Sequence, residues 1–241
     1  MSDFHTINGP RLAVFDMDGT LVDSQYMITA AMAQAFAAEG LPPPPMAVVR
    51  RLLGLSLDTV IAELAPDSDS ATLAALERRY REAFSALREA GEVGEAPFDG
   101  VEAALDAFHE AGWVLGIATG KSSRGLHATL ERFGLADKFV TLQTADLTAG
   151  KPAPDMLHRA MEEAGADALA TVMIGDTSFD MEMAVNAKVA SIGVGWGYHD
   201  EPELLAAGAH RVVDNFGELL AVAEALVPAG SCPSPGTGPG Q

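Results

Sequence analysis

Several features of common protein classes are scarce in this chain of 241 residues. It has a single cysteine, Cys232, so no internal disulfide can form, which fits a reducing compartment. It lacks an unbroken apolar segment long enough to cross a bilayer, and residues 1–10 are polar, without a basic-then-apolar signal pattern. We therefore expect a cytoplasmic protein with no membrane partner.

Basic residues are also few, with 15 Lys and Arg against 34 Asp and Glu, for a formal net charge of -19. Binding to a nucleic-acid backbone depends on clustered Lys and Arg side chains. The composition therefore argues against a nucleic-acid partner. We interpret most of the acidic residues as a solvated surface.

From residue 98 onward the chain alternates between helical and strand patterns. After the first strand, 12–15, we predict strands at 113–118, 139–142, 171–174, 190–194 and 211–213. We predict helices between them at 101–111, 123–133, 154–164 and 179–187, and a last helix at 216–227. This alternation is typical of an α/β fold in which helices cover both faces of a parallel sheet.

The segment between residues 22 and 97 has no strand signal, and it interrupts this alternation. Its apolar spacing predicts helices at 24–39, 48–53, 57–64 and 73–87. A simple crossover needs one helix, so we expect a separate small helical domain at 22–96. The catalytic core then comprises 1–21 and 97–227, and the segment 228–241, rich in Pro, Gly and Ser, is expected to be disordered.

The stretch that follows the first strand contains two carboxylates, Asp16 and Asp18, separated by one residue. Ligands of open α/β sheets bind beyond the carboxyl ends of the strands. Two acids this close repel each other unless one holds a proton or a cation lies between them. The pair therefore indicates a hard metal ion, or a nucleophile working with an acid. Gly19 permits a sharp turn, and Thr20 adds a hydroxyl group.

Three further clusters follow other predicted strands. Thr119 and Gly120 precede a helix whose first N–H groups favour an anion, although in isolation a plain helix capped by Ser122 or Ser123 is the better interpretation. Lys151 stands before Pro152, which restricts the lysine backbone. Asp176 and Asp180 lie four residues apart, so one helical turn places them on the same side.

Together these clusters closely resemble the four motifs of the haloacid dehalogenase superfamily of phosphatases. The resemblance rests on Asp16-Met17-Asp18-Gly19-Thr20, Thr119, Lys151, and Gly175-Asp176 with Asp180. It implies a three-layer, Rossmann-like parallel core with an inserted α-helical cap. The stretch 193–198, followed by Glu203-Leu204 and 207–209, further resembles the phosphoglycolate phosphatase-like branch.

The resemblance also implies a role for each motif residue. Asp16 is expected to be the nucleophile that becomes an aspartyl phosphate, and Asp18 the general acid and base. Mg²⁺ is expected on Asp16, the backbone carbonyl of Asp18 and Asp176, with Asp180 supporting the site. The phosphoryl oxygens are expected to bind the side chain of Thr119, the N–H of Gly120 and the ammonium group of Lys151.

The family resemblance leaves the substrate open. Phosphoglycolate is the leading expectation, and a sugar phosphate, a nucleotide or pyrophosphate remain alternatives. All are small molecules, and we expect the enzyme to be a monomer or a homodimer. Arg50 and Arg51 in the cap can bind a substrate anion if their helix faces the cleft, and otherwise form a solvated surface. A mutase is disfavoured because Leu57 stands where a cap arginine is needed, and Asp18 argues against dehalogenation. Outside enzymes, a receiver-like domain switched by aspartate phosphorylation uses a similar set of residues.

Overall fold

The computed structural model describes residues 9–91 and 94–229. The expected disordered tail at 228–241 therefore falls almost entirely outside the described residues. Among the residues that are described, no helix is both long and apolar enough to cross a membrane.

A six-stranded parallel sheet forms the centre of the molecule. Its strands, in chain order, are β1 (Arg11–Phe15), β4 (Trp113–Thr119), β5 (Thr141–Thr144), β6 (Thr171–Gly175), β7 (Ala190–Val194) and β8 (Arg211–Val213). In space their order is β5-β4-β1-β6-β7-β8, so the first strand lies in the interior of the sheet between β4 and β6. The predicted α/β fold with a parallel sheet is confirmed.

Two apolar layers cover the sheet, and the alternation of side chains along β1 explains both. Ala13 and Phe15 face one layer, while Leu12 and Val14 face the other, and all four are fully buried. The first layer is completed by helices α5 (Val101–Glu110), α6 (Ser123–Phe133) and α10 (Phe216–Leu226). The second is completed by helices α7 (Asp155–Ala164) and α8 (Ser178–Ala187).

Four helices are inserted after the first strand and form most of a third apolar cluster, which also includes Tyr198 of the core. They are α1 (Gln25–Ala38), α2 (Met46–Leu52), α3 (Leu57–Leu64) and α4 (Ser70–Ala90). The inserted chain leaves and rejoins the core through two-residue strands, β2 (Val22–Asp23) and β3 (Ala96–Pro97), which pair antiparallel. The two chain connections between the core and the inserted helices therefore lie side by side in a two-stranded antiparallel ribbon.

Three details differ from the sequence prediction. The predicted absence of strands between 22 and 97 is wrong at both ends, because β2 and β3 are too short to show a period-two pattern. The strand predicted at 139–142 begins two residues later, since a 3₁₀ turn at Ala136–Lys138 precedes it and its polar residues Thr141 and Gln143 are buried. A six-residue helix, α9 (Glu201–Ala206), also forms, with Asp200 and Glu203 in a capping box.

Candidate active site

The carboxyl ends of β4, β1 and β6 lie side by side and deliver the predicted motif residues to one place. Asp16 follows β1, Thr119 ends β4, and Asp176 follows β6. Lys151, in the loop before α7, contacts Asp16, and Asp180 in the first turn of α8 contacts Lys151. Residues distant in sequence are thus assembled at the edge where such sheets bind ligands.

Asp16 is buried, and its two carboxylate oxygens have different surroundings. Oδ1 accepts a hydrogen bond from the Met17 N–H at 2.6 Å and lies 2.9 Å from Lys151 Nζ. Oδ2 is buried too, and within the described part of the chain it has no hydrogen-bond partner. Burial raises the pKa of Asp16 to about 7; the Lys151 charge opposes this rise and the Asp180 charge adds to it. An unpartnered carboxylate oxygen at a sheet edge is suited to bind a cation or attack an electrophile.

Lys151 is a buried cation held by two carboxylates. Its Nζ lies 2.6 Å from Asp180 Oδ1 as well as 2.9 Å from Asp16. Burial lowers the pKa of Lys151, but the Asp16 and Asp180 charges outweigh that effect, so its pKa is raised and the side chain stays charged. Asp180 is itself fixed, because its Oδ2 accepts hydrogen bonds from the N–H and the hydroxyl of Thr177 at 3.0 and 2.7 Å.

Asp176 is held by backbone and hydroxyl donors rather than by a cation. Thr20 Oγ1 donates to its Oδ1 at 2.8 Å, and the Tyr198 N–H donates to its Oδ2 at 3.0 Å. Two glycines make room for this carboxylate, because a Cβ on Gly197 or Gly19 would lie only 2.1 or 2.3 Å from Asp176 atoms. Burial, and then the charges of Asp16 and Asp180, raise the pKa of Asp176 well above its usual value.

The cluster of Asp16, Asp176 and Asp180 fits a divalent cation. One carboxylate oxygen from each residue lies within 4.8 Å of the others, and all three side chains are buried. Three carboxylates around one lysine carry an excess of negative charge, and oxygen ligands are those that Mg²⁺ prefers. Asp180, which was expected only to support the metal site, is itself one of the three carboxylates of this cluster.

The Asp18 side chain contacts a lysine that sequence patterns did not single out. Its Oδ1 accepts a hydrogen bond from Ser24 Oγ at 2.7 Å and lies 3.0 Å from Lys121 Nζ. Lys121 Nζ is also 3.6 Å from Oε1 of Glu95. Burial lowers the pKa of Lys121, but the Asp18 and Glu95 charges outweigh it and raise that pKa overall. In sequence, Lys121 reads as an ordinary loop lysine and Glu95 as one of many acids.

The loop between β4 and α6 brings the other expected phosphate-binding groups to the same edge. Thr119 is buried at the end of β4, and its Oγ1 accepts a hydrogen bond from the Lys121 N–H at 3.2 Å. Ser122 caps α6 by accepting from the Gly125 N–H at 3.3 Å, as the plain capping interpretation requires. Gly120 lies against the loop between α2 and α3, because a Cβ there would lie 2.4 Å from the Leu55 carbonyl oxygen.

Comparison with known proteins agrees with this geometry. The family model described as haloacid dehalogenase-like hydrolase matches residues 13–194. The chain belongs to the haloacid dehalogenase-like hydrolase family. The predicted family is thus confirmed, and so is the expectation of an enzyme.

Relatives of this hydrolase match along nearly their whole length. The chain is 37% identical to a protein of Dickeya dadantii named probable phosphatase IndB, over 92% of this chain and 97% of that protein. It is 35% identical to a phosphoglycolate phosphatase of Caulobacter vibrioides, over 99% of this chain and 100% of that protein. The crystal structure of a hydrolase from Pseudomonas syringae is 28% identical with a TM-score of 0.78, covering 88% of this chain and 97% of that one. The predicted phosphatase class and branch resemblance are confirmed.

A cavity of about 690 Å³ opens between the hydrolase core and the inserted helices. Asp16, Asp18 and Thr119 line its inner end. Its other walls are mixed: apolar and aromatic residues of the inserted helices, such as Ile28, Tyr80 and Phe84, alternate with charged ones, such as Glu77 and Arg81. Asp16, Asp18 and Thr119 therefore face a cavity that the core and the inserted helices line together.

Arg50 and Arg51 lie away from this cavity. Arg50 donates a hydrogen bond to the Gly197 carbonyl at 2.9 Å, and Arg51 forms an ion pair with Glu203 at 2.5 Å, so both connect α2 to the segment after β7. The structure does not bring them together with the other predicted site residues, since neither lines the cavity. The arginines that do line it are Arg81, Arg88 and Arg124. Sequence spacing alone did not show which of the arginines face the cavity.

Proposed function

We propose that this chain is a Mg²⁺-dependent phosphomonoester hydrolase that works through an aspartyl-phosphate intermediate. The observation that carries the proposal is the buried Asp16 oxygen, Oδ2, which has no hydrogen-bond partner among the described residues and lies beside an acidic cluster and a buried lysine. Such an oxygen is a candidate nucleophile, and the family to which the chain belongs supports this assignment.

In the first step, a carboxylate oxygen of Asp16 forms a bond to phosphorus while the bond from phosphorus to the ester oxygen breaks. Asp18, in its protonated form, gives its proton to the departing alkoxide. In the second step, water attacks the phosphorus of the aspartyl phosphate and gives a proton to the Asp18 carboxylate. Inorganic phosphate leaves, and both aspartates return to their starting forms.

Three other groups bind the phosphoryl oxygens in this proposal. They are the hydroxyl of Thr119, the N–H of Gly120 and the ammonium group of Lys151. Lys151 is suited to this role because Asp180 keeps it in place and charged. Mg²⁺, held by Asp16, the backbone carbonyl of Asp18 and Asp176, would offset the repulsion between an anionic nucleophile and an anionic substrate.

We also propose that residues 22–96, which contain helices α1 to α4, form a cap domain. The catalytic core then comprises residues 1–21 and 97–227. The apolar cluster within these helices and the cavity beneath them support this division. Closure of such a cap excludes bulk water and strengthens the electrostatic interactions in the site. A cytoplasmic location, and action on a small molecule by a monomer or homodimer, complete the proposal.

Phosphoglycolate is the first substrate to test, because several relatives bear the name phosphoglycolate phosphatase. The cavity also has room for a second candidate, a phosphate ester with a larger alcohol, such as a nucleotide or a sugar phosphate. Its volume of about 690 Å³ is far larger than a two-carbon acid requires, and Tyr80 and Phe84 form part of its wall.

The test is phosphate release from phosphoglycolate, hexose phosphates, nucleotides and pyrophosphate, with Mg²⁺ and with a chelator. We expect metal-dependent release that Asp16→Asn abolishes. Preference for a nucleotide over phosphoglycolate would favour the second candidate. Stable phosphorylation of Asp16 without turnover would instead favour the receiver-like switch, and near-normal activity of Asp16→Asn would refute the mechanism.

A further inference from the structure

Lys121 lies between two carboxylates that belong to different parts of the molecule. Its Nζ is 3.0 Å from Asp18 Oδ1 in the core and 3.6 Å from Glu95 Oε1. Glu95 immediately precedes β3, on the segment through which the chain returns from the inserted helices. The lysine therefore links the second motif aspartate to that returning segment.

Glu95 is an unusual residue to find at this position. Its side chain is 0% exposed, although it carries a carboxylate, and a buried charge is costly unless it is paired. Besides Lys121, its neighbours are Arg132, with NH1 at 3.7 Å, and the Thr129 hydroxyl, which donates to Oε1 at 3.4 Å. All three contacts lie between 3.4 and 3.7 Å, so Lys121 and Arg132 share the compensation of this buried charge, and of the two cations Lys121 is the more buried. Glu95 in turn restricts where the lysine can lie.

Two further contacts restrict the same assembly. Phe84 of α4 places its ring 5.0 Å from Lys121 Nζ, which is the geometry of a cation–π contact. On the other side, Ser24, just before α1, donates to Asp18 Oδ1 at 2.7 Å. Asp18 is thus held between the segment that enters the insertion and a lysine held by the segment that leaves it.

We infer that Lys121 is a positioning residue for Asp18, and that Glu95 in turn positions Lys121. The inference rests on the proposed function, in which Asp18 gives and then takes a proton. Lys121 and Ser24 both hold Oδ1, and the proposal assigns Oδ2 to face the ester oxygen. A displacement of about 1 Å at a reacting group can lower a rate roughly 100-fold, so fixing this one carboxylate matters for turnover.

The kinetic test compares Lys121→Met, Glu95→Gln and the double variant. We expect Lys121→Met to lower kcat roughly 10- to 100-fold with little change in KM, and Glu95→Gln to lower kcat less. The double variant should be no slower than Lys121→Met, because both residues act through the same carboxylate. Lys138→Met, which breaks an exposed lysine pair with Asp106, is the matched control and should keep wild-type kinetics.

With p-nitrophenyl phosphate, whose leaving group needs no protonation, Lys121→Met should release nitrophenolate in a burst and then turn over slowly. The burst reports an intermediate that awaits the base function of Asp18. A rise in KM at unchanged kcat would overturn the inference, because it would mean that Lys121 binds the substrate. Additive losses in the double variant would equally overturn the link through Glu95.

A crystal structure of Lys121→Met gives an answer that does not depend on activity. We expect the Asp18 carboxylate to leave the position it has in the wild-type protein, while Asp16 stays in place. An unmoved Asp18 would refute the positioning role. If Lys121→Met does not fold because the buried Glu95 loses its lysine partner, the double variant removes both charges and provides the same structural test. Lack of turnover by the wild-type protein on every ester would count against the proposed function instead.

Discussion

Asp16 is expected to destabilise the metal-free protein at the pH values where the proposed nucleophile is charged. Its pKa rises from 3.8 in the unfolded chain to about 7 in the folded protein, chiefly through burial. The unfolded chain therefore loses the proton near pH 4, whereas the folded protein holds it until about pH 7. Because the folded pKa is the higher one, the stability contributed by Asp16 is lost as the pH rises through this window.

The size of the effect follows from the same two values. Between pH 5 and pH 7 only the unfolded chain is ionised at this residue, and each pH step lowers the free energy of unfolding by about 1.4 kcal/mol. The loss is therefore about 3 kcal/mol between pH 5 and pH 8. Asp16→Asn is nearly isosteric, and its amide does not titrate. The free energy of unfolding of this variant, relative to that of the wild-type protein, should therefore rise by about 3 kcal/mol from pH 5 to pH 8.

The assay is urea unfolding of both proteins at pH 5 and pH 8, in the presence of a chelator. The measured quantity is the change, between the two pH values, in the difference in free energy of unfolding between variant and wild-type protein. Any cost of placing an amide beside Lys151 is the same at both pH values and cancels. Asp137→Asn, which removes an exposed carboxylate on a surface turn, is the matched control and should show no such change. An equal difference at both pH values, within about 0.5 kcal/mol, would refute the reasoning about burial.

Three other predictions concern turnover and metal binding. Asp18→Asn should accumulate aspartyl phosphate with an aryl phosphate, detected by acid quench; hydrolysis of the intermediate at the wild-type rate would contradict the proposed base. Gly120→Ala should lower turnover by pushing its new Cβ against the Leu55 carbonyl, 2.4 Å away, while Gly94→Ala, whose Cβ meets nothing within 4 Å, should not. Mg²⁺ should raise the melting temperature of the wild-type protein at pH 8 and leave that of Asp176→Asn nearly unchanged; an equal rise in both would remove Asp176 from the metal site.

Sequence reasoning succeeded where a residue's role depends on its position at the end of a strand. Asp16 and Asp176 follow strands whose last four residues are buried and carry no polar side chain, and parallel strands present such ends at one edge, so their convergence was predictable. The strand at 141–144 was placed too early because its buried positions carry Thr and Gln, whose side chains hydrogen bond with Glu163 instead of forming an apolar pattern.

Lys121 and Glu95 were not predictable because their importance comes from one contact across 26 residues of sequence. A buried glutamate cannot be told from an exposed one in a chain with 34 acidic residues. The orientation of Arg50 depends on how α2 lies against the segment after β7, where it donates to Gly197. Such contacts depend on how separate parts of the chain pack together, and local sequence patterns do not predict that packing.

The ribbon of β2 and β3 also has a consequence for how this molecule can evolve. Because the chain leaves the sheet and returns to it within one pair of short strands, residues 24–95 amount to a long loop whose ends are already joined. Doubling the length of a flexible loop costs only about 0.6 kcal/mol in closure entropy. The insertion can therefore grow, shrink or be exchanged while the six strands keep their register, so that selectivity changes as the reacting groups stay in place.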